Sequence, residues 1–421
     1  MKVLLINTSE HTGGAAVAAS RLMGALQQNG VQAKMLVRDR STSNPNVVSL
    51  PQSWKLKAKF IAERLVIWVH NHFKKENLFA VDIANIGTDI THFAEFKEAD
   101  VIHLHWVNQG FLSLGNLQRI FASGKPIVWT MHDMWPCTGI CHHARTCTSY
   151  HTHCHHCMYL YKGGSNDLSA RTFERKKIIY KHAQLTFVTC SNWLKAEAEK
   201  SDLLIDKRIV SIPNPLNTAL FYPSSKEEAR EKLGLPANRR LILFGSVKIT
   251  DKRKGFDYLV EACRLLASQH PELKEEIGVV VFGHNSEELK PLLPFEVYPL
   301  NYIAEEDEMV NVYNAVDLYV TPSLEENLPN TIMEAMACGV PCLGFQIGGI
   351  PEMIDHLQNG YVATYRSAND FAKGIYWILK ESNYRSLSTE AVQKVETHYS
   401  EGSVAKKYIG LYSKLLLEKQ Q

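Results

Sequence analysis

The feature that most limits this chain's fold is an alternation. Short apolar runs of strand length are followed by stretches with helical spacing, repeatedly and in one direction. Residues 2–7 form the first run. Residues 15–28 follow as an Ala-rich helical stretch that stops at Asn29-Gly30, and 33–37, 101–104 and 127–130 are further runs. Runs that are apolar on both faces suit strands covered by helices on two sides, so the pattern predicts an α/β fold with parallel sheets. A second series opens after residue 210. It has runs at 241–244, 279–282, 318–320 and 341–343, with helical patterns over 256–267 and 330–337.

Between the two series lies Ser211-Ile212-Pro213-Asn214-Pro215-Leu216-Asn217, whose closely spaced prolines interrupt regular structure. A chain of 421 residues with 45% hydrophobic content can fill more than one core. We therefore expect a Rossmann-like domain over 1–210, a second over 211–399, and a last helix over 400–421. In that helix Val404, Tyr408, Leu411, Tyr412, Leu415 and Leu416 recur at helical spacing around Gly410.

Charge and termini narrow the partners. A net charge of +2 gives no general attraction to nucleic acid. The first apolar run is too short for a secretory leader and reads as a strand, and no stretch is long enough to span a bilayer. The expectation is a cytoplasmic protein with reduced thiols. Five of the nine cysteines then need explaining, because they fall between Cys137 and Cys157 in a segment rich in histidine and poor in apolar residues. Cys154 and Cys157 form a Cys-x-x-Cys half-site, and Cys141 and Cys147 would complete four ligands, with His142, His143, His151 and His153 as competitors. We read this cluster as a structural zinc site rather than as free thiols. It is not read as a catalytic metal, since four protein ligands leave no open position.

Two further segments carry chemistry. Thr12-Gly13-Gly14-Ala15 joins the first strand to the first helix, where glycine allows close approach and helix N–H groups attract phosphate. A plain tight turn would look the same. The run from Pro322 to Pro341 places Glu326 in a loop and Glu334 on a helix, seven residues apart, and Gly348-Gly349-Ile350-Pro351-Glu352 makes another loop-to-helix junction.

This string resembles the Glu-seven-Glu signature of the retaining glycosyltransferases of family 4. The resemblance extends to Lys252-Arg253-Lys254-Gly255-Phe256-Asp257, to the segment from Val210 to Pro223, and to His103-Leu104-His105 and Thr130-Met131-His132-Asp133. It implies two Rossmann-like domains of the GT-B type, a site in the cleft between them, and a C-terminal helix crossing back to the N-terminal domain. It further implies that Glu334 holds the nucleotide ribose. Glu326, with the backbone after it at Asn327, Leu328 and Pro329, holds the donor sugar, and His132 lines the reaction centre. Lys254 and Lys248 stabilise the leaving diphosphate, with Gly13 and Gly14 as a further phosphate turn. Lys248 stands in for an arginine that the family carries just after Gly245, where this chain has Ser246-Val247. Where the family has Glu-Gly-Phe, this chain reads Glu326-Asn327-Leu328.

The chemistry agrees with these assignments. Breaking a sugar–diphosphate bond leaves negative charge that cations or oriented N–H groups must meet. The chain has no Asp-x-Asp to hold a metal there. We therefore expect a metal-independent, hexosyltransferase-type enzyme with no catalytic cofactor. It would move a sugar from a nucleotide-diphosphate donor to a glycan or lipid-linked acceptor in polysaccharide biosynthesis. The alternatives are a nucleotide-sugar epimerase on the same fold and a catalytically silent binding protein.

Finally, residues 53–79 carry Ile61, Leu65, Trp68, Val69 and Phe73 on one helical face beside Lys55, Lys57, Lys59, Arg64, Lys74 and Lys75. Most such stripes pack into a core. The other use is peripheral contact with the inner face of an anionic membrane.

Overall fold

Two parallel sheets organise the chain in a computed structural model. It describes residues 1–248, 251–303 and 305–420, the side chains at 247, 248 and 420 excepted. The chain divides into two units, Met1–Pro215 with Val404–Gln421, and Leu216–Ser403.

The first unit holds seven strands, β1 (Lys2–Ser9), β2 (Gln32–Asp39), β3 (Val47–Ser49), β4 (Val101–Leu104), β5 (Ile127–Met131), β6 (Leu185–Thr189) and β7 (Arg208–Ser211). Their order is β3-β2-β1-β4-β5-β6-β7, with every pairing parallel. β4, β5 and β6 are buried along their whole length, as the unbroken apolar runs require. β7 and Ile212, whose N–H bonds to the Thr189 carbonyl, carry this unit past the boundary expected at residue 210.

The second unit holds six strands, β8 (Arg240–Lys248), β9 (Ile277–His284), β10 (Glu296–Leu300), β11 (Leu318–Thr321), β12 (Cys342–Phe345) and β13 (Gly360–Ala363), in the order β10-β9-β8-β11-β12-β13. The strand order reverses between β1 and β4 in one sheet and between β8 and β11 in the other. In open parallel sheets, ligands bind at such switch points, beyond the C-terminal ends of the strands. One buried ion cluster braces the second sheet from below. Asp317, 2% exposed at its side chain, accepts from Arg230 at 2.7 Å, Lys226 at 2.6 Å and the Leu241 N–H at 2.8 Å.

The last helix (Glu401–Gln420) belongs to the first unit from Val404 onward. Val404, Tyr408 and Tyr412 join Val3, Leu5 and Val128 in one core cluster. Tyr412 Oη lies 2.7 Å from His103 Nδ1, His103 Nε2 lies 2.7 Å from Thr130 Oγ1, and that hydroxyl meets Tyr408 Oη at 2.9 Å. His103 therefore faces this helix inside the core rather than outward. Burial, aided by His132, lowers its pKa to about 3 and keeps the ring neutral.

The helix Trp54–His70 departs from the commoner expectation for its stripe. Ile61, Leu65, Val69 and Phe73 are exposed, as is Trp54 at 76%. The core instead receives the other face, where Leu56, Glu63, Arg64 and Ile67 are buried. Periodicity fixed that one face is apolar, but Arg64 turned inward to meet buried Asp82. Among the described residues, no helix is long and apolar enough to cross a membrane.

Candidate functional site

At the switch point of the second sheet, three loops meet. Gly255, at φ +65°, lies so close to the loop after β11 that a Cβ there would stand 1.9 Å from the Pro322 carbonyl oxygen. The Leu324 N–H donates to the Arg253 carbonyl at 2.7 Å. From the other side Gly348, at φ +56°, leaves no room for a side chain, since its Cβ would stand 1.8 Å from the Glu326 carbonyl oxygen. The Gly349 N–H then bonds to the Asn327 carbonyl at 2.8 Å. Glycine is required at both positions by close approach and by backbone angle.

These contacts bring together residues that the sequence places 72 positions apart. Lys254 Nζ donates to Glu326 Oε1 at 2.5 Å, with the lysine about one-third exposed. Arg253 is held away by a two-pronged bond to Asp251, at 3.1 and 2.7 Å. Asn327 and Leu328 are buried and Pro329 caps the helix Asn330–Ala337. On that helix the buried Glu334 accepts a hydrogen bond from Tyr313 Oη at 2.8 Å. Tyr313 has no signature in the sequence, yet it sets the direction of the carboxylate. Burial next to Glu334 keeps the phenol protonated, its pKa well above the ordinary value. Lys248 ends β8, and its side chain lies outside the described residues. Ser246, two residues earlier, has a buried hydroxyl with no partner among the described residues. It occupies the stretch where the resemblance calls for an arginine.

The first unit gathers a second polar set at its own switch point. Asn7 at the end of β1 accepts from the Trp106 N–H beyond β4 at 2.9 Å. Gly13, at φ +92°, begins the helix Gly14–Gln28, and a Cβ there would meet nothing within 4 Å. Beyond β4 and β5, His105 Nδ1 lies 3.0 Å from His132 Nε2. Burial lowers the His132 pKa to about 4 against the pull of Asp133, so the ring is neutral. Asp133 accepts from Trp106 Nε1 at 2.9 Å, from the Trp135 N–H at 2.8 Å, and from His142 Nδ1 at 2.7 Å. His142 Nε2 in turn meets buried Asp82 at 2.6 Å. Burial opposes charge on His142, but the two carboxylates prevail and raise its pKa to about 10. Burial likewise opposes charge on Asp133, and the adjacent imidazolium overcomes it, down to about 2. An ionised Asp133, a cationic His142 and a neutral His132 thus stand side by side.

The Cys/His segment adjoins this set. Cys141, Cys147, Cys154 and Cys157 all line one small cavity of about 20 Å³. His142 is committed to its carboxylates and His153 to Glu174 at 3.0 Å. Among the described residues, no three His, Cys, Asp or Glu side chains already stand in position around a metal ion.

Comparison with known proteins bears on the whole chain. Residues 12–220 match the model described as Glycosyltransferase Family 4, and residues 225–395 match the model described as Glycosyl transferases group 1. A D-inositol 3-phosphate glycosyltransferase of Corynebacterium aurimucosum (strain ATCC 700975 / DSM 44827 / CIP 107346 / CN-1) is 23% identical over 96% of this chain and 92% of its own. Other curated glycosyltransferases match over about half of their own length, 52% and 46%. Among solved structures, sucrose-phosphate synthase from Thermosynechococcus elongatus superposes with a TM-score of 0.69 at 18% identity, over 99% of this chain and 100% of that one. An Anabaena protein in complex with UDP-glucose gives 0.62 at 15% identity, over 98% and 100%. At these identities the structural likeness carries the two-domain fold alone.

Proposed function

The chain belongs to the group 1 and family 4 glycosyltransferases, and from that premise we propose that it moves a sugar from a nucleoside-diphosphate donor to a glycan or lipid-linked acceptor in polysaccharide assembly, with the anomeric configuration retained. The meeting of Lys254, Glu326 and the Gly348–Gly349 loop at the β8/β11 switch point carries this reading. A lysine held against a carboxylate, with glycine backbone closing in from two sides, is suited to a ligand that carries both phosphate and hydroxyl groups.

In this reaction the bond between the sugar C1 and the diphosphate oxygen breaks, and a bond from C1 to the acceptor oxygen forms on the same face. The acceptor's proton passes to the departing diphosphate oxygen. Lys254, with Lys248, meets the charge growing on that diphosphate, and Glu326 takes the sugar hydroxyls together with the backbone of Asn327, Leu328 and Pro329. Glu334, oriented by Tyr313, accepts from the ribose hydroxyls. Neutral His132 hydrogen-bonds the transferred sugar, and Gly13 and Gly14 offer N–H groups to phosphate. The Anabaena neighbour's complex with UDP-glucose supports a nucleotide-sugar donor of this kind.

For the acceptor, the exposed stripe of the helix Trp54–His70 supports contact with an anionic bilayer. Lys55 and Lys57 on this helix and Lys74 and Lys75 just after it are exposed, as are Trp54 and Ile61, while Glu63 is buried. On this reading the enzyme works at the inner face of the membrane.

Thermal shift against a panel of nucleoside diphosphates tests the donor site, because a ligand that binds only the folded state raises the melting temperature. One diphosphate should stabilise the wild type and Glu326→Ala but not Glu334→Ala. Lys254→Ala should lower transfer by orders of magnitude in a folded protein. Equal stabilisation of wild type and Glu334→Ala removes Glu334 from the ribose site. Turnover that yields only an isomerised donor makes the protein an epimerase instead.

A further inference from the structure

The loop between β5 and the helix Leu168–Lys181 is long, and its only regular pieces are two single turns, Trp135–Cys137 and Ser149–His151. A stretch of this length without its own strands or helices needs an internal anchor or a function. Its first part, from Met134 to Ala144, is nevertheless mostly buried, as is Cys154 at 7% exposure, while much of 145–167 is exposed. We propose that Cys141, Cys147, Cys154 and Cys157 bind one structural zinc ion that holds this loop against the first unit.

Several observations converge on this assignment. The spacing ends in a Cys-x-x-Cys pair, and all four cysteines, separated by up to 16 residues, line the same cavity. At about 20 Å³, that cavity suits an ion or one water rather than an organic ligand. One backbone donor already points at a sulfur: the Gly139 N–H lies 3.2 Å from Cys154 Sγ. The fully buried Lys176 anchors the same loop from the helix Leu168–Lys181, donating to the carbonyls of Trp135 and Thr138 at 2.5 and 3.0 Å. The competing histidine His142 has both ring nitrogens committed to carboxylates.

Binding replaces the four thiol protons with one Zn²⁺ and requires the sulfurs to converge, since among the described residues no three His, Cys, Asp or Glu side chains are placed to hold a metal ion without it. The result reaches beyond the loop. Cys141 directly precedes His142, so a fixed Cys141 holds the imidazolium that pairs with Asp133.

The test uses the full chain, purified without a metal-affinity step. Elemental analysis should find one zinc per chain. Mercurial modification of the thiols should release it to a chromophoric chelator, and all nine cysteines should titrate as free thiols after denaturation without reductant. Replacement of the zinc by Co²⁺ should give the intense visible bands of tetrahedral thiolate coordination. Cys154→Ser/Cys157→Ser should lose the metal, whereas Cys137→Ala, whose sulfur bonds to the Met134 carbonyl and lies outside the cavity, should keep it. Should the double variant not fold, the wild-type measurements decide alone. Absence of stoichiometric zinc with nine free thiols overturns the proposal. So does a shortfall of thiols that reveals disulfides, or full zinc retention by the folded double variant.

Discussion

Replacing Gly348 by alanine should separate two effects that glycine substitutions usually mix. The backbone there has φ +56°, a conformation costing an alanine roughly 1 kcal/mol. The added Cβ would also stand 1.8 Å from the Glu326 carbonyl oxygen, whereas ordinary contact needs about 3.2 Å. The Glu326 loop must therefore retreat by more than about 1 Å, and a misplacement of that size can cost on the order of 100-fold in rate. Gly30→Ala is the control. It has φ +81° but nothing within 4 Å, so it carries the strain without the collision. Gly30→Ala should lose about 1 kcal/mol of stability and Gly348→Ala more, because the collision adds to the strain, both read as melting shifts. Only Gly348→Ala should lose sugar transfer, by about two orders of magnitude, in a coupled assay of nucleoside diphosphate release. Near-normal transfer by a folded Gly348→Ala enzyme would falsify the view that the Glu326 loop is positioned for chemistry by this close approach.

Two other outcomes are expected. Asp317→Asn leaves Arg230 and Lys226 without their carboxylate and should cost roughly 3–5 kcal/mol, seen in chemical denaturation. Burial raises the Asp317 pKa, but Lys226 and the Leu241 N–H outweigh it and the net shift is downward, so the wild type should hold this contribution above about pH 4 and lose it as pH falls further, whereas Asp317→Asn lacks it, so the stability gap between the two should narrow below about pH 4. Lys55→Glu/Lys57→Glu/Lys74→Glu should lose co-sedimentation with anionic vesicles at low salt by at least about tenfold, since each basic residue near the surface contributes on the order of 1 kcal/mol. Wild type that ignores such vesicles would end the bilayer reading.

Sequence carried the fold a long way. The runs at 101–104 and 127–130 became β4 and β5, and the 330–337 pattern became a helix with the same bounds. These elements are buried on all sides, so their apolar content alone identifies them. β3, β6, β7, β10 and β13 passed unnoticed. β7 and β13 are short strands with partly exposed residues, and β10 carries Glu, Tyr and Pro among its five positions. Residue types in the candidate site were legible because Glu326, Glu334 and Lys254 sit in recognisable strings. Their pairing was not, because the Lys254–Glu326 bond spans 72 residues and depends on two sheet-end loops meeting. The same holds for Asp82, His142 and Asp133, where a histidine that reads as a metal ligand in sequence lies between two carboxylates in space.

The tie between the last helix and the first sheet has a consequence for synthesis. Val404, Tyr408 and Tyr412 complete the core that Val3 and Leu5 begin, and His103 finds its Nδ1 partner only in Tyr412. The first unit is made before the second and is thus finished after it. Until the second unit has been translated, the face of the β1–β7 sheet that holds Val3 and Leu5 is covered by the helix Gly14–Gln28 but lacks the last helix, and His103 lacks Tyr412. A chain that stalls or is clipped within the second unit leaves behind a first unit with part of its core open. Such products should therefore be conspicuous to proteases and chaperones, whereas a chain that carries the last helix closes the core that its first strand begins.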